Sequence, residues 1–176
     1  MRLGTWIAVL GGTVAVLAIT TRGSANIGSL ETVAHVDLQR YAGRWYEIAR
    51  YPNWFERDCE RDVTATYTPT GEGKIRVVNA CRTADGKSKV STGRAKVVDP
   101  TTNAKLKVTF FWPFYGNYWV IDLGKDYEYA VVGEPSREYL WILSRTPQMD
   151  EKTYEGILKR LPALGYDPGK LIKVAQ

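Results

Sequence analysis

Histidine occurs once, as His35, and cysteine twice, as Cys59 and Cys81, in a chain of 176 residues. The side chains that most often shuttle protons, bind soft metals or act as nucleophiles are therefore scarce. No His/Cys cluster with metal-ligand spacing occurs, so neither a metal nor a cofactor is expected. Acid–base work would fall to carboxylates such as Glu47 and Asp122, and an enzyme reading rests on them alone. The expectation is a protein that binds and does not catalyse.

The N-terminal residues read as an export signal. Arg2 precedes the apolar stretch Trp6–Thr20, and Gly23 and Ala25 fit the −3 and −1 positions of a cleavage site. The stretch contains Gly11 and Gly12 and falls short of the ~20 residues that span a bilayer. Residues 1–25 are thus taken as a signal peptide, 26–36 as a polar lead-in and 37–176 as one domain, for which a 44% apolar share suffices. In an oxidising compartment Cys59 and Cys81 read as a disulfide. No cysteine precedes Cys59, so lipid attachment to an N-terminal cysteine has no acceptor. The net charge of +5 falls when Arg2 and Arg22 leave with the signal, and Arg50, Arg57, Arg61, Lys74, Arg76 and Lys105 are scattered. That argues against nucleic acid as a partner.

From Gly43 onward, short strands alternate with turn chemistry. Thr68–Gly73, Ala84–Gly86 and Asp99–Asn103 read as hairpin loops. Between such breaks lie eight runs: Trp45–Tyr51, Asp62–Tyr67, Lys74–Arg82, Lys89–Val98, Lys105–Phe111, Tyr118–Leu123, Tyr127–Val132 and Tyr139–Ser144. Eight strands with hairpin-length links predict an all-β, antiparallel up-and-down barrel, which leaves no free sheet edge. Ala65 and Tyr67 alternate with threonines, and Leu106, Val108 and Phe110 alternate with Lys105, Lys107 and Thr109, so these sets point inward. Leu140–Leu143 is apolar on both faces and needs an outer cover. Asp150 can cap a helix carrying Tyr154, Ile157, Leu158 and Leu161 at helical spacing, stopped by Gly165, and this C-terminal helix would supply that cover. Leu171–Val174 reads as a last edge strand.

Three motifs carry a family resemblance: Gly43-Arg44-Trp45-Tyr46-Glu47-Ile48-Ala49-Arg50, Lys125-Asp126-Tyr127, and Leu140-Trp141-Ile142-Leu143-Ser144-Arg145-Thr146-Pro147. In this order the chain resembles the lipocalins, and among them the bacterial outer-membrane lipocalins and the apolipoprotein D group. The second motif departs from the family turn by a lysine where threonine is usual. The resemblance implies that Gly43, Trp45 and Arg145 are structural, Trp45 plugging the closed end with the Arg145 guanidinium across its indole.

The resemblance also places Tyr67, Asn79 and Trp141 in a pocket, with Ala65, Val77, Phe110, Tyr118, Val132 and Leu143 lining it. Small or medium inward residues, Gly93 and Ala95 among them, leave room in an eight-stranded barrel for one small ligand. A phenol, an amide and an indole on an apolar wall suit a lipid oriented by few polar contacts. The implied ligand is a fatty acid, lysophospholipid or other small lipid, carried or stored for membrane maintenance. Glu47 shares parity with Trp45, so it is expected inward, near the floor of the cup, in need of a tyrosine or arginine partner. Pro52–Asp58 and Trp112–Gly116 form the open rim, and their aromatics suit a ligand tail, a membrane surface, a partner, or a plug folded back on the barrel. The implied setting is the periplasm, as a monomer or weak homodimer, with peripheral contact to the outer membrane left open. A protein-binding periplasmic module or inhibitor acting through the rim loops is the alternative.

Overall fold

The computed structural model describes residues 28–176; the expected signal peptide lies outside the described residues. Eight antiparallel strands follow one another around a closed barrel: β1 (Gly43–Arg50), β2 (Arg61–Gly71), β3 (Lys74–Arg82), β4 (Ser88–Val97), β5 (Lys105–Phe111), β6 (Phe114–Leu123), β7 (Tyr129–Gly133) and β8 (Leu140–Ser144). Each pairs with its sequence neighbour, and β1 closes the ring by pairing with both β2 and β8. A short β9 (Ile172–Lys173) adds to the upper part of β1.

Two helices complete the fold. α1 (Leu38–Tyr41) lies across the lower end, and its first turn is capped by Asp37, which accepts from Gln39 N at 2.9 Å and Arg40 N at 3.2 Å. α2 (Glu151–Arg160) is capped by Asp150. It runs into a 3₁₀ turn, Leu161–Leu164, that ends at Gly165 in the left-handed region. Tyr154, Ile157 and Leu161 bury against Leu140, Ile142, Val131 and Ile121, so the helix covers the doubly apolar β8.

Several strand ends shift by one or two residues from the sequence reading, and three shift further in ways that matter, because hydrogen bonds to neighbouring strands extend or cut runs that composition leaves ambiguous. β6 starts at Phe114, not Tyr118, so the supposed rim loop is a projecting hairpin. β2 runs on to Gly71. β7 starts at Tyr129, because Tyr127 stands at φ 61° in the preceding turn, where its hydroxyl accepts from Asp37 N at 2.8 Å. The segment before α1 is docked: Leu30 and Val36 are buried, and Val33 N and Val36 N donate to Val120 O and Thr102 O.

Candidate functional site

The barrel has a sealed end and an open end. At the sealed end Trp45 is fully buried, donates from Nε1 to Tyr41 O at 2.8 Å, and packs 5.0 Å from the Tyr41 ring. The Arg145 guanidinium lies 3.8 Å over the Trp45 indole. It donates to Ala42 O at 2.9 Å, Arg44 O at 3.0 Å, Arg40 O at 2.5 Å and Tyr127 O at 3.3 Å. Gly43, at φ +93°, lets the chain turn from α1 into β1 beside that guanidinium. Just above, three phenols form a chain: Tyr41 and Tyr118 hydroxyls are 2.7 Å apart, and Tyr118 donates to Tyr67 at 2.9 Å. Burial raises all three above the usual tyrosine range.

Register assigns the wall. Facing pairs on the inner side are Ala65 and Asn79, Val77 and Gly93, Ala95 and Val108, Leu106 and Tyr118, Val132 and Trp141. Tyr67, Val77, Val132 and Leu143 are buried in the lower cluster around Trp45. Ala65, Asn79, Tyr118 and Trp141 are half-buried, Ser91 opposite Asn79 is exposed, and Phe110 is 42% exposed. Exposure on the inner face thus increases from the cluster around Trp45 toward the opposite end of the strands. Phe110 lies across Gly93, where a Cβ would stand 2.7 Å from its ring. Asn79 Oδ1 is buried without a hydrogen-bond partner.

The upper wall carries a buried polar network that strand parity alone does not reveal. In a regular strand, residues three apart face opposite sides. The pairing of β1 with β8 slips between Glu47 and Ala49, a β-bulge at Ile48, which brings Arg50 back to the face of Glu47. Glu47 then faces Leu143, a member of the lower cluster, and Arg50 faces Trp141, so Glu47 lies near the floor, as expected, with Arg50 as its arginine partner. Arg50 Nη1 donates to Glu47 Oε1 at 2.7 Å, and Nη2 to Cys59 O at 3.0 Å. Burial, and the nearby Glu56 carboxylate, push Glu47 up to about 8 against the weaker pull of Arg50. Asp122, the other carboxylate considered, is not inward. A slip of β6 between Val120 and Asp122 turns it to α2, where Arg160 Nε donates to it at 2.8 Å.

The open end is framed by residues 51–60, 83–87, 112–113 and 134–139. The first connection folds back: Phe55 stands 5.6 Å from Tyr139 and 6.3 Å from Trp141, which stack on each other at 5.9 Å, while Trp54 stays 74% exposed. The Cys59–Cys81 disulfide ties its end to β3, as the cysteine count predicts. The β5–β6 hairpin instead projects, with Phe111, Trp112 and Phe114 between 71% and 81% exposed and no charged residue from Val108 to Ile121. Sequence reasoning missed Arg50 and Glu56 as members of the buried polar network and Tyr41 as part of the sealed end. Arg50 stands in the first motif, but only the bulge turns it inward. Among the described residues no group of three or more His, Cys, Asp or Glu could hold a metal ion, and no helix is long and apolar enough to cross a membrane.

A family model described as a lipocalin-like domain matches residues 36–176. The chain is 40% identical over 169 residues to the outer membrane lipoprotein Blc of Escherichia coli strain K12, covering 96% of this chain and 95% of that one. It is 36% identical over 144 residues to apolipoprotein D of Macaca fascicularis, covering 77% and 74%. Insecticyanin from the tobacco hornworm Manduca sexta superposes with a TM-score of 0.70 at 23% identity, covering 85% of each chain, a likeness of fold alone. Blc is described as an outer membrane lipoprotein, which does not support the expectation that lipid attachment to an N-terminal cysteine has no acceptor.

Proposed function

The chain belongs to the lipocalin family, and on that premise we propose that it binds a single-chain lipid, a fatty acid or lysophospholipid, in the barrel cup and carries or stores it for membrane maintenance. The observation that carries this reading is the gradient of the inner face, sealed around Trp45 and Tyr67 and open from Asn79 upward. An acyl chain entering there gains about 25 cal/mol per Å² of apolar area removed from water. Tyr67, Asn79, Trp141, Ala65, Val77, Phe110, Tyr118, Val132 and Leu143 are the proposed lining, with Asn79 Oδ1 free to accept from a polar group. Gly43, Trp45 and Arg145 hold the floor. No catalytic role is assigned: Glu47 is engaged by Arg50 and Asp122 by Arg160. An envelope location fits the outer-membrane description of Blc, and the periplasm, with the aromatic hairpin resting on the outer membrane, is the location we propose.

The test is native mass spectrometry with lipid extraction, joined to a binding isotherm. The parent is expected to co-purify with or take up one acyl-chain lipid, whose binding perturbs Trp141 emission. A folded Val77→Trp variant is expected to bind none, because its indole fills the cup opposite Gly93. Equal binding by that variant puts the ligand outside the cup and overturns the reading. The exposed hairpin tip also favours a second reading, a protein-binding module; a stoichiometric protein partner on a lipid-free barrel would establish it.

A further inference from the structure

Glu56 belongs to the connection after β1 and not to the barrel, yet its carboxylate occupies the upper cup. Trp141 Nε1 donates to Glu56 Oε2 at 3.1 Å, Asn53 Nδ2 donates to the same oxygen, and Arg50 Nε lies 3.8 Å from it. The Arg50 side chain is only 6% exposed, and its Nε has no hydrogen-bond acceptor. Arg50 and Trp141 are direct cross-strand partners. Two N–H donors from two rigid strands therefore address one small volume at the mouth end of an apolar cup. Two carboxyl groups share the single guanidinium. Glu47 makes the short contact, at 2.7 Å, and comes from a strand; Glu56 makes the long one and comes from a loop.

We propose that Glu56 stands in for the head group of the ligand: a fatty-acid carboxylate takes its place between Arg50 Nε and Trp141 Nε1 as residues 52–58 lift, with the acyl chain running down toward Tyr67. This rests on the cup reading above and narrows its ligand class. The exchange is isoelectric: one carboxylate leaves the buried guanidinium as another arrives, so Arg50 is never left with fewer anions. A neutral head group offers no such replacement and binds with the loop still down.

The test compares myristate, 1-tetradecanol and lysomyristoylphosphatidylcholine, each below its aggregation limit, on the full disulfide-bonded chain by titration calorimetry. Charge-assisted hydrogen bonds to a desolvated donor pair predict a preference of about tenfold or more for myristate over the alcohol. Glu56→Gln, which removes the competing charge and keeps the side-chain shape, is expected to tighten myristate at least about threefold with the alcohol unchanged. Trp141→Phe, which keeps an aromatic wall and loses the N–H, is expected to narrow the preference. Equal binding of acid and alcohol by the parent, or a preference untouched by Glu56→Gln, overturns the proposal. A lysophospholipid that matches myristate and responds equally to Glu56→Gln overturns the carboxylate assignment. If all three bind equally and Val77→Trp blocks them, only the head-group proposal falls; if none binds, or Val77→Trp blocks nothing, the cup reading falls.

Discussion

Replacing Glu47 by glutamine should free the barrel from a pH penalty that the parent carries. Glu47 is held at about 8 by burial first and by the Glu56 carboxylate second, against an ordinary value of 4.5. Between those values the folded chain keeps a proton that the unfolded chain has released. Stability therefore falls as pH rises through that window, by up to about 1.4 kcal/mol per pH unit, or about 5 kcal/mol in all as a ceiling. Asp58, Asp85, Asp99 and Glu134 are lowered from their ordinary values, so their linkage lies at lower pH and carries the opposite sign. Glutamine keeps the shape and an oxygen acceptor for Arg50 Nη1 but cannot titrate. Urea unfolding of parent and variant at pH 5, 6, 7 and 8, with the disulfide intact and m-values compared, should give a difference that grows in favour of the variant as pH rises. A parent that gains stability relative to the variant between pH 5 and 8 would falsify the reasoning.

At the sealed end, Arg145→Ala removes the indole contact, worth about 0.5–2 kcal/mol, and the hydrogen bonds to four backbone carbonyls, those of Tyr127 and Ala42 part-buried and those of Arg44 and Arg40 open to water. A loss of roughly 3–5 kcal/mol in denaturant unfolding is expected, with lipid affinity unchanged; an unaltered stability with lost binding would reverse the assignment of roles. Replacing both cysteines by serine opens a crosslink with a sequence separation of 22 residues and should cost about 3 kcal/mol, measured on the folded variant against the oxidised parent. Gly93→Ala places a Cβ 2.6 Å from Thr109 O and 2.7 Å from the Phe110 ring. It should destabilise by about 1–3 kcal/mol and move Phe110; a crystal structure of the variant with Phe110 unmoved would contradict the packing described.

Most of the wall was legible because the alternation of Leu106, Val108 and Phe110, or of Ala65 and Tyr67, is a local signal that survives into the folded sheet. The cap at Asp150 and the stripe Tyr154, Ile157 and Leu161 are equally local. What escaped depends on pairing between distant strands. The slip at Ile48 exists only in the register of β1 against β8, so Arg50 could not be placed inward by counting, and the slip in β6 likewise hid the outward turn of Asp122. Glu56 enters the cup through a connection whose path is fixed by contacts with Trp141 and Arg50. Leu30 and Val36 looked like part of a polar lead-in because what buries them is assembled from distant segments: Leu30 joins the cluster under α2, and Val36 is held by the turn before β5 and joins the cluster around Trp45.

The ring closes on its first strand. β1 finds β2 within a few tens of residues, but its other edge waits for β8, about a hundred residues later in the chain. A growing or refolding chain therefore holds an open, twisted sheet with two unpaired edges until Leu140–Ser144 arrives, and such edges invite pairing with other chains. The long-range seam raises contact order and slows the final step. Enclosure is a product of that step: before β8 docks there is a curved wall but no closed ring, so any ligand that needs the enclosure can stabilise only the closed ring and not the sheet that precedes it.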